Sequence, residues 1–276
     1  MDYLLAILAG AIQGITEFIP VSSSGHLVLF HDIFKFNLPD NLMFDALLHL
    51  GTLVALIIFF FKDIIKLIAG FFSSLVKWNL KNDQNQKLAW MIIIGIIPAG
   101  LIGYFSEDLI NKYLHQSIYS SLVVAIMLIV VAILFFAIEK YASLKKDLTE
   151  LTAKDSIILG FAQAVALIPG TSRSGITIIA GMWRNFKREE AARFSFLLSI
   201  PIILGAGLKS FMDVGEWSAQ QMPLFAVAFL TSAITGYFAI KFLLKFLSNH
   251  SLKAFAWYRL IIGCLILIWF FSFLLS

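Results

Sequence analysis

Apolar residues recur along this chain in blocks too long and too unbroken for the helices of a soluble domain. A membrane-spanning helix needs about 20 predominantly apolar residues, and six windows supply them, at 42–61, 88–105, 117–138, 190–212, 222–247 and 254–275. The polar positions between windows are few and carry the charge. Lys62, Lys66, Lys77, Lys81 and Lys87 fill one connection, and Lys140, Lys145, Lys146 and Lys154 a second. Arg184, Lys187, Arg188 and Arg193 fill a third, and Lys241, Lys245 and Lys253 a fourth. Lysine and arginine collect on the cytoplasmic side of membrane proteins, so these four connections are predicted to lie inside. Those at 106–116, with Glu107, Asp108 and Lys112, and at 213–221, with Asp213 and Glu216, are predicted to lie outside.

Two further apolar segments cannot be simple spans. Asp155 to Gly181 is apolar enough to enter the bilayer, yet both its flanks are basic, so it must enter and return on one side, turning at "PGTSRSG" (169–175). Broken backbone at membrane depth is tolerated only inside protein or beside water. Residues 1–41 have the same form, broken at "EFIPVSSSGH" (17–26), and the basic connection after the first span makes them open to the outside. Sliding the chain by 150 positions lays residues 10–25 on 160–175 with five identities in 16: Gly10/Gly160, Gln13/Gln163, Ser22/Ser172, Ser24/Ser174 and Gly25/Gly175. Phe44, Leu47 and Leu48 likewise match Phe194, Leu197 and Leu198. Each half then holds one re-entrant helical hairpin and three transmembrane helices, an odd number of crossings, which inserts the halves with opposite orientation. The predicted fold is all-α and polytopic, a single integral membrane domain over 1–276 built as an inverted-topology repeat, with repeat 1 at about 1–140 and repeat 2 at about 151–276. Such repeats place their polar site near the midplane, where broken helices meet.

Composition agrees. Of 276 residues 60% are hydrophobic and 14% charged, with a mean hydropathy of +0.89, outside the range of soluble globular domains. Tyr3 to Gly10 runs into polar residues with no basic leader before it and no small-residue cleavage site after it, so a cleaved signal peptide is not expected. The net charge of +4 resides in short connections, where membrane orientation accounts for it, and nucleic-acid binding is discarded. The single cysteine, Cys264, excludes an intrachain disulfide or a cysteine metal site and reads as a packing residue. Trp78, Trp90, Trp183, Trp217 and Trp257 fall near span ends and read as interfacial anchors. The run "WRNFKREEAAR" (183–193) reads as a solvated loop and helix start.

Ionisable groups inside a membrane default to a functional reading because each is costly there. Gln13 and Glu17 are four residues apart and share a helix face. Ser22, Ser23, Ser24 and Gly25 follow Pro20 and offer either a helix cap or, through free amides, an anion site. His26, three residues past Ser23, is within reach for a nucleophile and base pair if the turn continues as helix. In the second hairpin Thr171, Ser172, Arg173, Ser174 and Gly175 combine a forked guanidinium, hydroxyls and exposed amides, the composition of a phosphate cradle. No acidic residue lies between Asp155 and Arg173, so the partner of this arginine comes from elsewhere: Glu17, or an anionic substrate. Asp45 and His49, at i and i+4 on the first long span, either line the same cavity or pair with one another.

At "QGITEFIPVSSSGH" and "ALIPGTSRSG" the sequence resembles the BacA/UppP family of undecaprenyl-diphosphate phosphatases, and the similarity continues through "FDALLHLGT" (44–52) and "RFSFLLSIPIILGAG" (193–207). The resemblance implies an enzyme of the bacterial plasma (inner) membrane that hydrolyses undecaprenyl diphosphate to the monophosphate and inorganic phosphate. That reaction recycles the lipid carrier of peptidoglycan synthesis and confers bacitracin resistance. Carried over by motif, Glu17, Ser23, His26 and Arg173 are the catalytic residues, with Ser172 and Ser174 beside the arginine. Gln13, Ser22, Ser24, Thr171, Gly175, Asp45 and His49 complete the expected substrate contacts. The family's first hairpin carries two glutamates four apart, and here the first is Gln13. A divalent cation, Mg²⁺ or Ca²⁺, would therefore have Glu17 and the neutral Gln13 amide oxygen as ligands.

The expected partners are the bilayer and a polyprenyl diphosphate whose tail lies between spans; a homodimer is compatible with the sequence and not specified by it. The mouth of the site is expected to face the extracytoplasmic side. Ser23 as nucleophile with Glu17 as base, His26 as a phosphorylated nucleophile, and direct attack by water all fit the residues. The competing class is a polyprenyl-phosphate transporter or flippase, since inverted repeats with broken helices also build carriers. Ser23 and His26 are the pair that a carrier does not require. A passive scaffold leaves the buried polar groups unexplained.

Overall fold

The computed structural model describes residues 2–34, 41–110, 120–213 and 221–275. Among them run eleven α-helices and no strand: α1 (Asp2–Phe18), α2 (Ser23–Phe34), α3 (Asn41–Phe59), α4 (Phe61–Val76), α5 (Gln84–Ile110), α6 (Ser120–Tyr141), α7 (Ala153–Val165), α8 (Arg173–Trp183), α9 (Arg188–Asp213), α10 (Met222–Leu247) and α11 (Lys253–Leu275). Within hydrocarbon every backbone polar group must find its partner in the protein, and a helix does this within one segment. Helices α5, α6, α9, α10 and α11 are each long and apolar enough to cross a membrane, and α3 with α4 makes a sixth apolar unit, bent by 80°. The chain is thus a multi-pass membrane protein, and the six expected windows fall on α3, α5, α6, α9, α10 and α11. Helices α7 and α8, of 13 and 11 residues, rise only about 20 and 16 Å. A hydrocarbon core of about 30 Å is beyond either alone, and the two helices pack against each other.

Residues 61–76, expected as part of an inside loop, instead form α4. The lysines that suggested a loop occupy one side of an amphipathic helix. Phe61, Ile65, Ile68, Phe72 and Leu75 make an exposed apolar stripe, while Ser74 on the opposite side accepts a 3.0 Å hydrogen bond from Trp90 of α5. At the bend the Phe60 amide still donates to Leu56 O and its carbonyl still accepts from Ile64 N, so direction changes without orphaning the backbone. Trp90 is correspondingly half-buried, its ring packed between Phe71 and Trp78. Trp78, Trp183 and Trp257 are exposed as anchors should be. Cys264 is exposed on α11 and not a core residue. Trp217 and most of both outside loops lie outside the described residues.

The four basic residues of 183–193, expected to be solvated, each pair with a carboxylate, and the side chains of Lys187 and Arg193 stay partly in solvent as they do so. Arg184 holds Asp155 at 2.5 Å, Lys187 holds Asp147 at 2.7 Å, Arg188 Nε holds Glu139 at 2.8 Å and Arg193 holds Asp63 at 2.8 Å. The hydrogen bond to Asp147, and then the charge of that carboxylate, raise the Lys187 ammonium above the ordinary lysine range. Glu139 also accepts from Leu252 N, and Lys87 donates to Thr149 O. These contacts join all four basic connections to one another, so the molecule gathers them at a single end.

Helix α1 packs chiefly on α10 and α7 on α5, so each hairpin leans on a span from the opposite half. Both contacts depend on glycine because the backbones touch. A Cβ on Gly14 would lie 2.5 Å from Ser232 O and 2.8 Å from Gly236 N, and one on Gly160 would lie 2.3 Å from Gly95 O. Small residues allow such approaches between membrane helices, where packing and not hydrophobic transfer drives association. Gly14→Ala and Gly160→Ala are each expected to cost about 1–3 kcal/mol through overpacking, read as a lower Tm in detergent. Gly100→Ala, which meets nothing within 4 Å, is the control and is expected to be neutral or mildly stabilising.

Candidate active site

The two hairpin tips are built alike. After α1 the chain passes Pro20, which has no amide hydrogen to continue a helical ladder, and Ser22 takes a left-handed φ of 78°. Its Oγ accepts from Gly25 N at 3.3 Å and lies 3.3 Å from Ser24 Oγ. At the second tip Ser172 takes a φ of 71°, its Oγ accepts from Gly175 N at 3.2 Å, and it lies 3.2 Å from Ser174 Oγ. Each serine caps the helix that follows. The tips meet where Gly170 N donates to Ser24 Oγ at 3.4 Å.

Between the tips sits Glu17, 7% exposed. Its Oε1 accepts from Arg173 Nη2 at 2.6 Å. Its Oε2 accepts from Ser23 Oγ at 2.6 Å and from Gln13 Nε2 at 3.1 Å. His49 Nδ1 lies 2.8 Å from the same Gln13 nitrogen and 3.5 Å from Glu17 Oε2. The carboxylate therefore joins a hydroxyl and a guanidinium from different hairpins, placed 156 residues apart for the Glu17–Arg173 bond. Two buried polar atoms beside it have no partner, Arg173 Nη1 and Gln13 Oε1. A second guanidinium donor is thus left over, and one oxygen acceptor.

Several expected site residues go elsewhere. His26 does not reach Ser23: its Nδ1 donates to Ser22 O at 2.7 Å, which leaves Nε2 to accept from Tyr258 OH at 2.7 Å. The turn that begins α2 folds the imidazole back along its own helix, where the Tyr258 ring stacks on it. Asp45 pairs with His31 at 3.2 Å and not with His49. Thr171 Oγ1 donates to Ile168 O at 2.7 Å, so the Thr171, Ser172 and Ser174 hydroxyls shape the tip, and Arg173 alone of that loop reaches Glu17. Sequence reasoning missed Tyr258 and Arg259. An arginine inside an apolar window is the signal that could have found the latter.

Among the described residues no group of three or more His, Cys, Asp or Glu could hold a metal ion. The unpartnered Gln13 Oε1 beside Glu17 does fit a cation that takes most of its ligands from phosphate and water, as Mg²⁺ commonly does.

The tip geometry separates two substitutions. Ser172→Ala removes the cap yet keeps a side chain at positive φ, and is expected to cost about 1–2 kcal/mol. Ser172→Gly removes the same cap but relieves the backbone, and is expected to cost only a few tenths. Thermal unfolding in detergent measures both, and equal losses would remove the left-handed cap from this account.

Comparison with known proteins gives a consistent result. The family model for the bacitracin resistance protein BacA matches residues 6–265. An undecaprenyl-diphosphatase of Rubrobacter xylanophilus is 41% identical over 272 residues, covering 96% of this chain and 97% of its own. Those of Methanosphaera stadtmanae (41% over 277 residues, covering 97% and 98%) and Thermomicrobium roseum (39% over 277 residues, covering 97% and 98%) are similar to the same extent.

Proposed function

We propose a division of catalytic labour for this chain, which belongs to the BacA family of bacitracin resistance proteins: Ser23 attacks, Glu17 takes its proton and Arg173 holds the phosphate. The reaction is hydrolysis of undecaprenyl diphosphate to undecaprenyl phosphate and inorganic phosphate. It returns the lipid carrier to peptidoglycan synthesis and removes the molecule that bacitracin sequesters. The observation that carries the assignment is the 2.6 Å contact from Ser23 Oγ to Glu17 Oε2, a nucleophile already donating to its base. A lipid-phosphate carrier has no use for that contact.

Ser23 Oγ bonds to the terminal phosphorus as its proton passes to Glu17, and the bond from that phosphorus to the bridging oxygen breaks, releasing the prenyl monophosphate. Glu17 passes that proton to the departing prenyl monophosphate and, a carboxylate again, takes a proton from water as the water oxygen bonds to the phosphoserine phosphorus; the bond from that phosphorus to Ser23 Oγ breaks, the proton returns to Oγ, and inorganic phosphate is freed. Phosphoryl transfer needs little besides positioning and charge stabilisation. Arg173 supplies both, with Nη2 on Glu17 and Nη1 free for a phosphate oxygen. His26, held between Ser22 O and Tyr258, serves as a support for the first tip. A divalent cation, arriving with the diphosphate and held by Glu17 and Gln13 Oε1, would offset phosphate charge. The gathering of the four basic connections at one end supports an inner-membrane orientation in which the tips open toward the extracytoplasmic face.

Phosphate release from a C55 prenyl diphosphate by purified protein tests this. Ser23→Ala is expected to abolish turnover while substrate still binds, and Glu17→Gln to lower kcat by at least about a hundredfold. Arg173→Ala is expected to raise KM and to lower kcat about 10²–10³-fold. Appreciable turnover by Ser23→Ala would hand the attack to water. Chelator is expected to suppress release and added Mg²⁺ or Ca²⁺ to restore it; turnover indifferent to chelator would remove the cation.

A further inference from the structure

Arg259, on α11, is fully buried and takes no part in the chemistry above. Its described partners are all backbone carbonyls, with no carboxylate among them. Nη1 donates to Pro20 O at 3.3 Å, in the first tip. Nη2 donates to Gly170 O at 2.8 Å and Thr171 O at 3.1 Å, in the second. Nη2 also reaches Met127 O at 3.2 Å and Nε reaches Leu128 O at 3.3 Å, both on α6. The Phe135 ring centroid lies 5.9 Å from Cζ.

A buried cation without a counter-ion is a poor device for stability, because carbonyl dipoles return only part of the hydration it lost. It is a good device for geometry. The guanidinium is a rigid planar fork, and here its two terminal nitrogens bind the two tips separately while the inner nitrogen is anchored on α6. The peptide unit is planar and trans, so fixing the Thr171 carbonyl also fixes the direction of the Ser172 amide, the residue that caps α8 just before Arg173. The preceding residue, Tyr258, fixes the first tip a second time through His26.

We propose that Arg259 is a positioning residue that sets the separation of the two hairpin tips, and through it the alignment of Ser23 and Glu17 with Arg173. The inference rests on the phosphatase reading. It accounts for an intramembrane arginine that packing alone would replace with an apolar side chain.

The test uses full-length protein in detergent, comparing wild type with Arg259→Lys, Arg259→Gln and Arg259→Met for kcat, KM and Tm, and repeating each in a Ser24→Ala background, which loosens the direct contact between tips. Lysine keeps the charge but cannot fork. Arg259→Lys is expected to lower kcat about a hundredfold, the scale of an ångström-sized misplacement, with KM changed by less than about threefold because Arg173 and the prenyl tail still bind. Arg259→Met is expected to lose more. The Arg259 and Ser24 losses in kcat should be non-additive, since both act on one gap. A folded Arg259→Lys or Arg259→Gln with kcat within about threefold of wild type would overturn the proposal, as would additive losses. Failure of all three variants to fold would also overturn it, assigning the arginine to stability. Wild type that releases no phosphate would sink the phosphatase reading itself, an outcome distinct from active variants.

Discussion

A carboxylate and a guanidinium that leave water together set the terms for this protein. Glu17 and Arg173 come from opposite halves of the chain, and the one carboxylate of the second hairpin, Asp155, is held by Arg184. The desolvation of such a pair is recovered only when geometry is close and the remaining lone pairs are bonded. Ser23 and Gln13 therefore crowd the second carboxylate oxygen. The tips must reach the same depth and stop there, which requires two short helices, two left-handed caps and glycine contacts that let each hairpin lean on the other half.

The two tips share a backbone and divide the chemistry. Positions 22 and 172, 24 and 174, and 25 and 175 are identical and make matching hydrogen bonds. The residue between them differs: Ser23 in the first tip and Arg173 in the second. One scaffold thus presents a hydroxyl to Glu17 from one side and a guanidinium from the other. Glu17 faces Leu167 in the same alignment and His49 faces Ser199, so the acid and imidazole also belong to one half. The two tips thus keep the same backbone turn and cap while their side chains diverge.

Much of this was legible in the sequence. Apolar length gave the spans, and the lack of an acidic residue between Asp155 and Arg173 left Glu17 or an anionic substrate as the partner of this arginine, of which the structure has Glu17. These readings succeed because helix formation in a membrane depends on local composition. Side-chain partners do not. The imidazole of His26 is directed by a tyrosine 232 residues away, and Asp45 pairs with His31 of α2, a contact that no spacing along α3 reveals. Helix α4 was hidden for a different reason: its lysines are those of a loop, and its apolar stripe of Phe61, Ile65, Ile68, Phe72 and Leu75 emerges only once the chain is wound into a helix after the 80° bend at Phe60.

The caps at Ser22 and Ser172 have an electrostatic consequence. Helices α2 and α8 both begin at the tips, and the tips touch, so two helix N-termini converge on one small volume. Each contributes the equivalent of about half a positive charge, and in a poorly screened interior these fields add. The gap between the hairpins is therefore electropositive before any side chain is counted. An anion that enters the gap meets both fields at once, whichever hairpin it approaches first.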